Sequence, residues 1–260
     1  MMRLRPLILS LLAVGCGSSK RDTTILVFGH NGYRVHQDVT LHAAGLPDAK
    51  LQILEDDRIT PAVRPSFQRG LPDEACAAPR TDSLRVFCTD IGRNQLRSAL
   101  VRLTDATGAE LDLATLERPI ADAVLVIPAS GSTPAVYGVS VDLTAEAGTY
   151  SGPLVQLLDA RSRRLTWLRA RDAAADSTAE IFLATTPKTA WQVVPREDGT
   201  GHDILMVACR PITSGRVTDV GFQIIYTRFS ADTAGWHAYR RTDRGCWEDD
   251  EAFPLRSRFP

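Results

Sequence analysis

Several groups of side chains in this chain have the types and spacing that chemistry needs. His36, Asp38 and His42 fall on one face of an alternating stretch, and such a face can orient a base or hold a metal. At ~3.3 Å per residue His36 and His42 lie about 20 Å apart, so only His36 and Asp38 could share an ion. A solvated polar face is the plainer reading of the three. Arg161, Arg163, Trp167, Arg169 and Arg171 occupy alternate positions. On one strand they would form a cation–π ladder or a basic platform for an anionic envelope polymer. The chain has 27 Arg and 3 Lys, so arginine is frequent on any exposed face whatever its role.

The stretch from Arg196 to Leu205 resembles, in shortened form, the calcium loops of propeller repeats. Asp198 and Asp203 match ligand positions and Gly199 matches the turn. The register is one residue short, Thr200 replaces the central acid, and no second copy follows. A hairpin turn rich in Asp and Gly explains the same residues without calcium. Glu248 to Glu251 is a second acidic group, next to Cys246 and Trp247. Trp167, Trp191, Trp236 and Trp247 all follow residue 160. Exposed, they would stack on sugars; buried, they fill a core, which is the usual place for large aromatics. The common catalytic strings, G-x-S-x-G, H-E-x-x-H, the P-loop and G-x-G-x-x-G, are absent. Binding is therefore expected ahead of catalysis, and no catalytic residue, firm metal site or cofactor is assigned beyond the calcium option.

Residues 1–15 have a basic start at Arg3 and Arg5, an apolar run from Leu7 to Val14 and a small residue at Gly15. This is the organisation of a secretory signal, too short to span a bilayer permanently. The ending Ala13-Val14-Gly15-Cys16 resembles the lipobox of bacterial lipoproteins. Cys16 matches the cysteine that becomes the first mature residue and carries lipid on its sulfur and amino group. Gly15 matches the small residue before it, while Ala13 departs from the leucine that is commonest there. Gly17 stands where an aspartate is associated with inner-membrane retention, so the resemblance implies an outer-membrane lipoprotein. Residues 16–23 would form a lipidated tether, of which the part after Cys16 reaches about 25 Å.

Beyond Cys16 there are four cysteines, Cys76, Cys88, Cys209 and Cys246. An even number in an exported chain predicts two disulfides, with three possible connectivities. The pairing Cys76–Cys88 and Cys209–Cys246 is favoured because each bond then staples one half of the chain. A zinc site is the alternative, but the chain has no C-x-x-C to build it.

The elements that must position these residues are strands. Thr24–Phe28, Val35–His42, Leu51–Leu54, Leu84–Cys88, Ala99–Leu103, Ala123–Ile127 and Val136–Leu143 alternate or are β-rich, with turn residues between them. The stretch 61–80, with four prolines, has no period, and Asp112–Glu117 reads as a short helix. After Gly148 the expectation is a hairpin from Leu154–Leu158 to Leu165–Ala170. A second hairpin would join Ile181–Ala184 to Trp191–Val194, and a meander would follow through Ile204–Cys209, Gly221–Tyr226 and Trp236–Arg240. Residues 170–180 read as a loop or one helix. The expected fold is all-β and antiparallel β-sandwich-like, as two β domains joined near residue 150. The first would span 24–148, and the second, a Trp-rich meander, 149–260.

Of the 30 basic side chains, Arg3 and Arg5 belong to the leader; the 28 that remain against 31 acids give a balance of −3. That excludes the strongly basic domain a nucleic-acid partner would want. The expectation is a lipid-anchored protein of the bacterial cell envelope that binds a protein or glycan partner. An envelope hydrolase using the 248–251 acids, or a structural accessory subunit of an envelope complex, are the alternatives.

Overall fold

The computed structural model describes residues 31–43, 46–61, 64, 96–116, 118–129, 134–142, 152–159, 163–212 and 221–260. Cys16, Cys76, Cys88, Arg161 and the strands expected at Thr24–Phe28 and Leu84–Cys88 lie outside these residues. So does the proline-rich stretch 61–80, apart from Pro61 and Arg64.

The described chain is all-β and β-sandwich-like, built from three sheets. The first is an antiparallel meander of β1 (Tyr33–Ala43), β2 (Leu46–Asp56), β3 (Leu100–Thr104) and β4 (Glu110–Thr115). The second sheet contains β5 (Ala121–Ile127), β6 (Val136–Asp142) and β7 (Pro153–Asp159). The short β8 (Thr166–Trp167) pairs with one edge of β7. The third sheet begins with β9 (Arg169–Asp172) and β10 (Thr178–Glu180). The chain then returns to the second sheet as β11 (Phe182–Ala184), beside β7. It completes the third sheet with β12 (Thr189–Pro195), β13 (His202–Ile212), β14 (Gly221–Asp232) and β15 (Gly235–Arg244). The order there is β10-β9-β15-β14-β13-β12, antiparallel except where β15 meets β9.

Alternation explains why the middle sheet holds the others together. Tyr137 and Val139 of β6, with Ala121 and Ala123 of β5, enter a core with Leu51, Ile53, Val101 and Leu103 of the first sheet. Val126 and Ile127 of β5, with Val155 and Leu157 of β7, enter a second core with Ile204, Phe229 and Ala238 of the third. Successive residues on a strand point to opposite faces, so one set of strands supplies both cores. Within this sheet Gly138–Asp142 pair with Pro153–Leu157. A third core on the other face of β13 and β14 contains Leu205, Val207, Tyr226, Trp247 and Phe259.

Four local expectations are corrected. Of the stretch Asp112–Glu117, the described residues 112–116 are not helical; 112–115 lie in β4, where Leu111 and Ala114 face one core and Leu113 the other side of the sheet. The hairpin into β4 turns on Asp105, whose Oδ1 accepts the amides of Thr107 and Ala109, both at 2.9 Å, with Gly108 at φ +86°. Residues 170–180 form the β9–β10 hairpin, whose turn is capped by Asp172 accepting the amides of Ala174 and Ala175. Leu165–Ala170 is not one strand: buried Leu168 donates to the Leu157 carbonyl at 2.8 Å, and the chain changes sheet there. Ile181–Ala184 and Trp191–Val194 do not pair as a hairpin either, because β11 bonds to β7 and β12 to β13. The β7–β8 hairpin and the β13–β14–β15 meander form as expected.

Candidate functional site

A cavity of about 420 Å³ opens at one end of the contact between the second and third sheets. Its apolar wall is Ile127, Val136, Leu158, Leu168 and Trp236. Ile127, Val136, Leu168 and Trp236 also belong to or pack against the second core, and Leu158 to the first. Its rim comes from two hairpin turns, one between β12 and β13 and one between β14 and β15.

The first turn is built by Asp198, whose Oδ1 accepts the Thr200 amide at 2.9 Å and the Thr200 hydroxyl at 2.7 Å, with Gly199 at φ +68°. These hydrogen bonds, the amide's first, hold the Asp198 carboxyl below its ordinary range. In the second turn Asp232 Oδ1 accepts the amides of Ala234 at 2.7 Å and Gly235 at 3.1 Å. Those amides and the His237 ring keep Asp232 ionised below the usual carboxylate range, against a smaller effect of burial. Arg196 joins the turns: its Nε donates to Asp203 at 3.0 Å and its Nη2 to the Ala231 carbonyl. His202 lines the cavity beside them, and its buried Nδ1 has no hydrogen-bond partner among the described residues.

Asp198 and Asp203, the two calcium candidates, each have other partners in this geometry. Asp203 is 1% exposed and faces Arg196 Nε at 3.0 Å, Arg256 Nη2 at 3.1 Å and Arg228 Nη1 at 3.6 Å. A carboxylate enclosed by guanidinium groups is a hub for ion pairs, and a cation there would meet their charge. Asp198 uses its oxygen on its own turn. Among the described residues no group of three or more His, Cys, Asp or Glu is arranged to hold a metal ion.

The alternating Arg/Trp positions part company at the sheet change. Trp167 is half-buried against the first core, whereas Arg169 and Arg171 lie on the exposed face of β9. Arg171 pairs with Asp176, Arg169 donates to the Thr178 carbonyl at 3.0 Å, and Arg163 is exposed in the connection before β8. Of the other tryptophans, Trp191 packs against the second core and Trp247 is buried in the third. Trp236 packs against the second core and lines the cavity as well. Glu248 to Glu251 stand on an exposed turn, with Glu248 paired to Lys188, and none of them lines the cavity. Cys209 and Cys246 are disulfide-bonded, with Cα atoms 4.9 Å apart, so β13 is stapled to the C-terminal segment.

A second polar cluster lies between the first and second sheets. His36 does not join Asp38, whose carboxylate receives Lys50 Nζ at 3.3 Å and Gln52 Nε2 at 3.1 Å. The register of β1 shifts between Val35 and Gln37, and the His36 ring reaches Asp122 at 3.1 Å and Glu55 at 3.7 Å. Arg64 donates to Glu55 at 3.0 Å and pairs with Asp122 at 3.0 Å, and Arg34 lies 3.8 Å from Glu55. Burial pushes the Glu55 carboxyl up, against His36 and Arg64. For Asp122 burial works the same way, but hydrogen bonds from His36 and Arg64 outweigh it and hold the carboxyl low. The cluster balances its charges internally and ties β1 and β2 to β5. Its members are far apart in the chain, and the only local sign of it is the pair Glu55-Asp56 at the end of the apolar run Leu51–Leu54.

No protein-family model, curated protein or solved structure matches the chain.

Proposed function

We propose that this chain is a lipid-anchored protein of the bacterial cell envelope that binds a glycan partner, with the cavity beside Trp236 as its binding site. The observation that carries the reading is the cavity itself: about 420 Å³, apolar along one wall with an indole, and polar around the rim. Small-molecule sites have roughly this volume, ~300–1,000 Å³, and combine an apolar body with a few placed polar groups. A sugar ring offers the matching surface, with C–H faces to lie on an aromatic and hydroxyls to meet a polar rim. The 248–251 acids stand on an exposed turn and do not line the cavity, so they do not serve a hydrolase acting there.

Anchoring follows from the lipobox resemblance at Cys16 and a tether of only a few residues, which keeps the folded part near an envelope surface. Cys16→Ser moves the protein from the membrane fraction to the soluble fraction; retention in the membrane would refute the anchor. For binding, soluble envelope glycan fragments quench Trp236 fluorescence in the wild type. Trp236→Phe preserves the packing against the second core and weakens affinity about tenfold, equivalent to ~1.4 kcal/mol. Unchanged affinity in that variant would place the site elsewhere.

A further inference from the structure

We propose, building on the glycan-binding reading, that the cavity selects glycans bearing a free amino group, with Asp232 as the receptor for the ammonium and Trp236 as the platform for the ring. The charged groups on the wall are Arg196, Asp159 and Asp232, with His202 between the turns. Arg196 is committed: Nε to Asp203 at 3.0 Å, Nη2 to the Ala231 carbonyl. The carboxylate it pairs with, 1% exposed, is shared with Arg228 and Arg256.

Asp232 is disposed differently. Its Oδ1 accepts the turn amides of Ala234 and Gly235, His237 Nε2 lies 3.2 Å from each carboxylate oxygen, and the side chain is 57% exposed. An ammonium arriving at the rim can donate to Oδ2, which holds neither turn amide, in a charge-assisted hydrogen bond. Trp236 lies four residues on, past the tight turn that Asp232 caps, opposite Ala231 in the β14–β15 ladder. The turn therefore brings carboxylate and indole to the same rim, and an indole face attracts a cation as well as a sugar C–H face. Arg228 and Arg256, which also hold Asp203, do not line the cavity. A neutral N-acetyl group in place of the ammonium would give up both attractions.

The test uses the full chain in detergent and isothermal titration with three β-1,4-linked tetramers, of glucosamine, N-acetylglucosamine and glucose, and with n-butylammonium as a cation lacking the sugar. The glucosamine tetramer is expected to bind at least tenfold more tightly than the other two. The preference should shrink when salt is raised to several hundred millimolar. Asp232→Asn keeps an oxygen for the turn amides and removes the charge, so it should abolish the preference, the glucosamine tetramer then binding no more tightly than the N-acetylglucosamine tetramer to the same variant. Equal affinity for all three tetramers would overturn the amino-group inference and leave the glycan reading standing. Binding of no tetramer would overturn both. Binding of n-butylammonium as tight as that of the glucosamine tetramer would show a bare cation site and also overturn the inference.

Discussion

Glu55 and Asp56 are neighbours in the chain, both with fully buried side chains, and their carboxyls shift in opposite directions. Burial raises Asp56 as it does Glu55. For Asp56, however, Arg58 Nε at 2.8 Å, the Arg58 amide at 3.1 Å and the Arg97 amide at 3.0 Å outweigh it and bring the carboxyl down to about 2. A folded pKa below the unfolded value of 3.8 means that Asp56 stabilises the fold above that pH. The contribution, about 2 kcal/mol, is lost as pH falls toward 2. Glu55 has the reverse sign: its folded value lies above 4.5, so its contribution is present below that pH and is lost as pH rises through the folded value. Urea midpoints between pH 2 and 7 should therefore climb and then decline. Asp56→Asn should flatten the acid limb and Glu55→Gln the decline above pH 4.5; parallel curves for all three proteins would contradict this account. Neither shift was legible in the local sequence, because Arg97 and Ala121 reach these acids from distant segments.

At the scale of elements, the strands were readable where alternation is regular and unreadable where the chain changes sheet. Val35–His42 alternates in the sequence, whereas Ile204–Cys209 is an unbroken apolar run because β13 buries one face in the second core and the other in the third. Leu168 and Thr185 mark crossings, and there an apolar run is divided between two sheets that have no common register. Gly152 is needed at one crossing: a Cβ there would run into the Thr185 carbonyl oxygen, where the Thr185 amide bonds Pro153 at 2.8 Å. Gly152→Ala should lower stability by about 1–3 kcal/mol, visible as a drop in melting temperature. The two rim turns make a second case. Arg196→Met removes the link from Asp203 to the Ala231 carbonyl and leaves buried Asp203 with fewer donors. A cost of about 1–3 kcal/mol is expected, together with weaker glycan binding; a variant of unchanged stability would show that the turns hold their positions without it.

The whole molecule is joined by its middle sheet, which contributes to a core on each face. Unfolding in urea should accordingly show one transition by far-UV circular dichroism and by tryptophan fluorescence, with coincident midpoints. Two separated transitions would mean that the parts before and after residue 150 are independent. The disulfide acts at the same scale, because Cys209–Cys246 closes a span of 37 residues and pins the C-terminal segment over the third core. Chain-entropy arguments give such a loop about 4 kcal/mol, so Cys209→Ser with Cys246→Ser should lower the melting temperature by roughly 10 °C. By itself the sequence determined that this is an all-β chain, since alternation and turn residues act over a few neighbours and leave their pattern in the string. It also reduced the four cysteines beyond Cys16 to three connectivities, of which the structure shows the bond between Cys209 and Cys246. Only the tertiary structure decided that Asp203 is a partner for arginines, that His36 meets Glu55 and Asp122, and that Trp236 walls a cavity. The His36 contacts and the Trp236 cavity depend on which sheets come to lie against one another, and the Asp203 cluster on the pairing within the third sheet and the return of the C-terminal segment. Contacts between residues far apart in the chain impose no spacing along it.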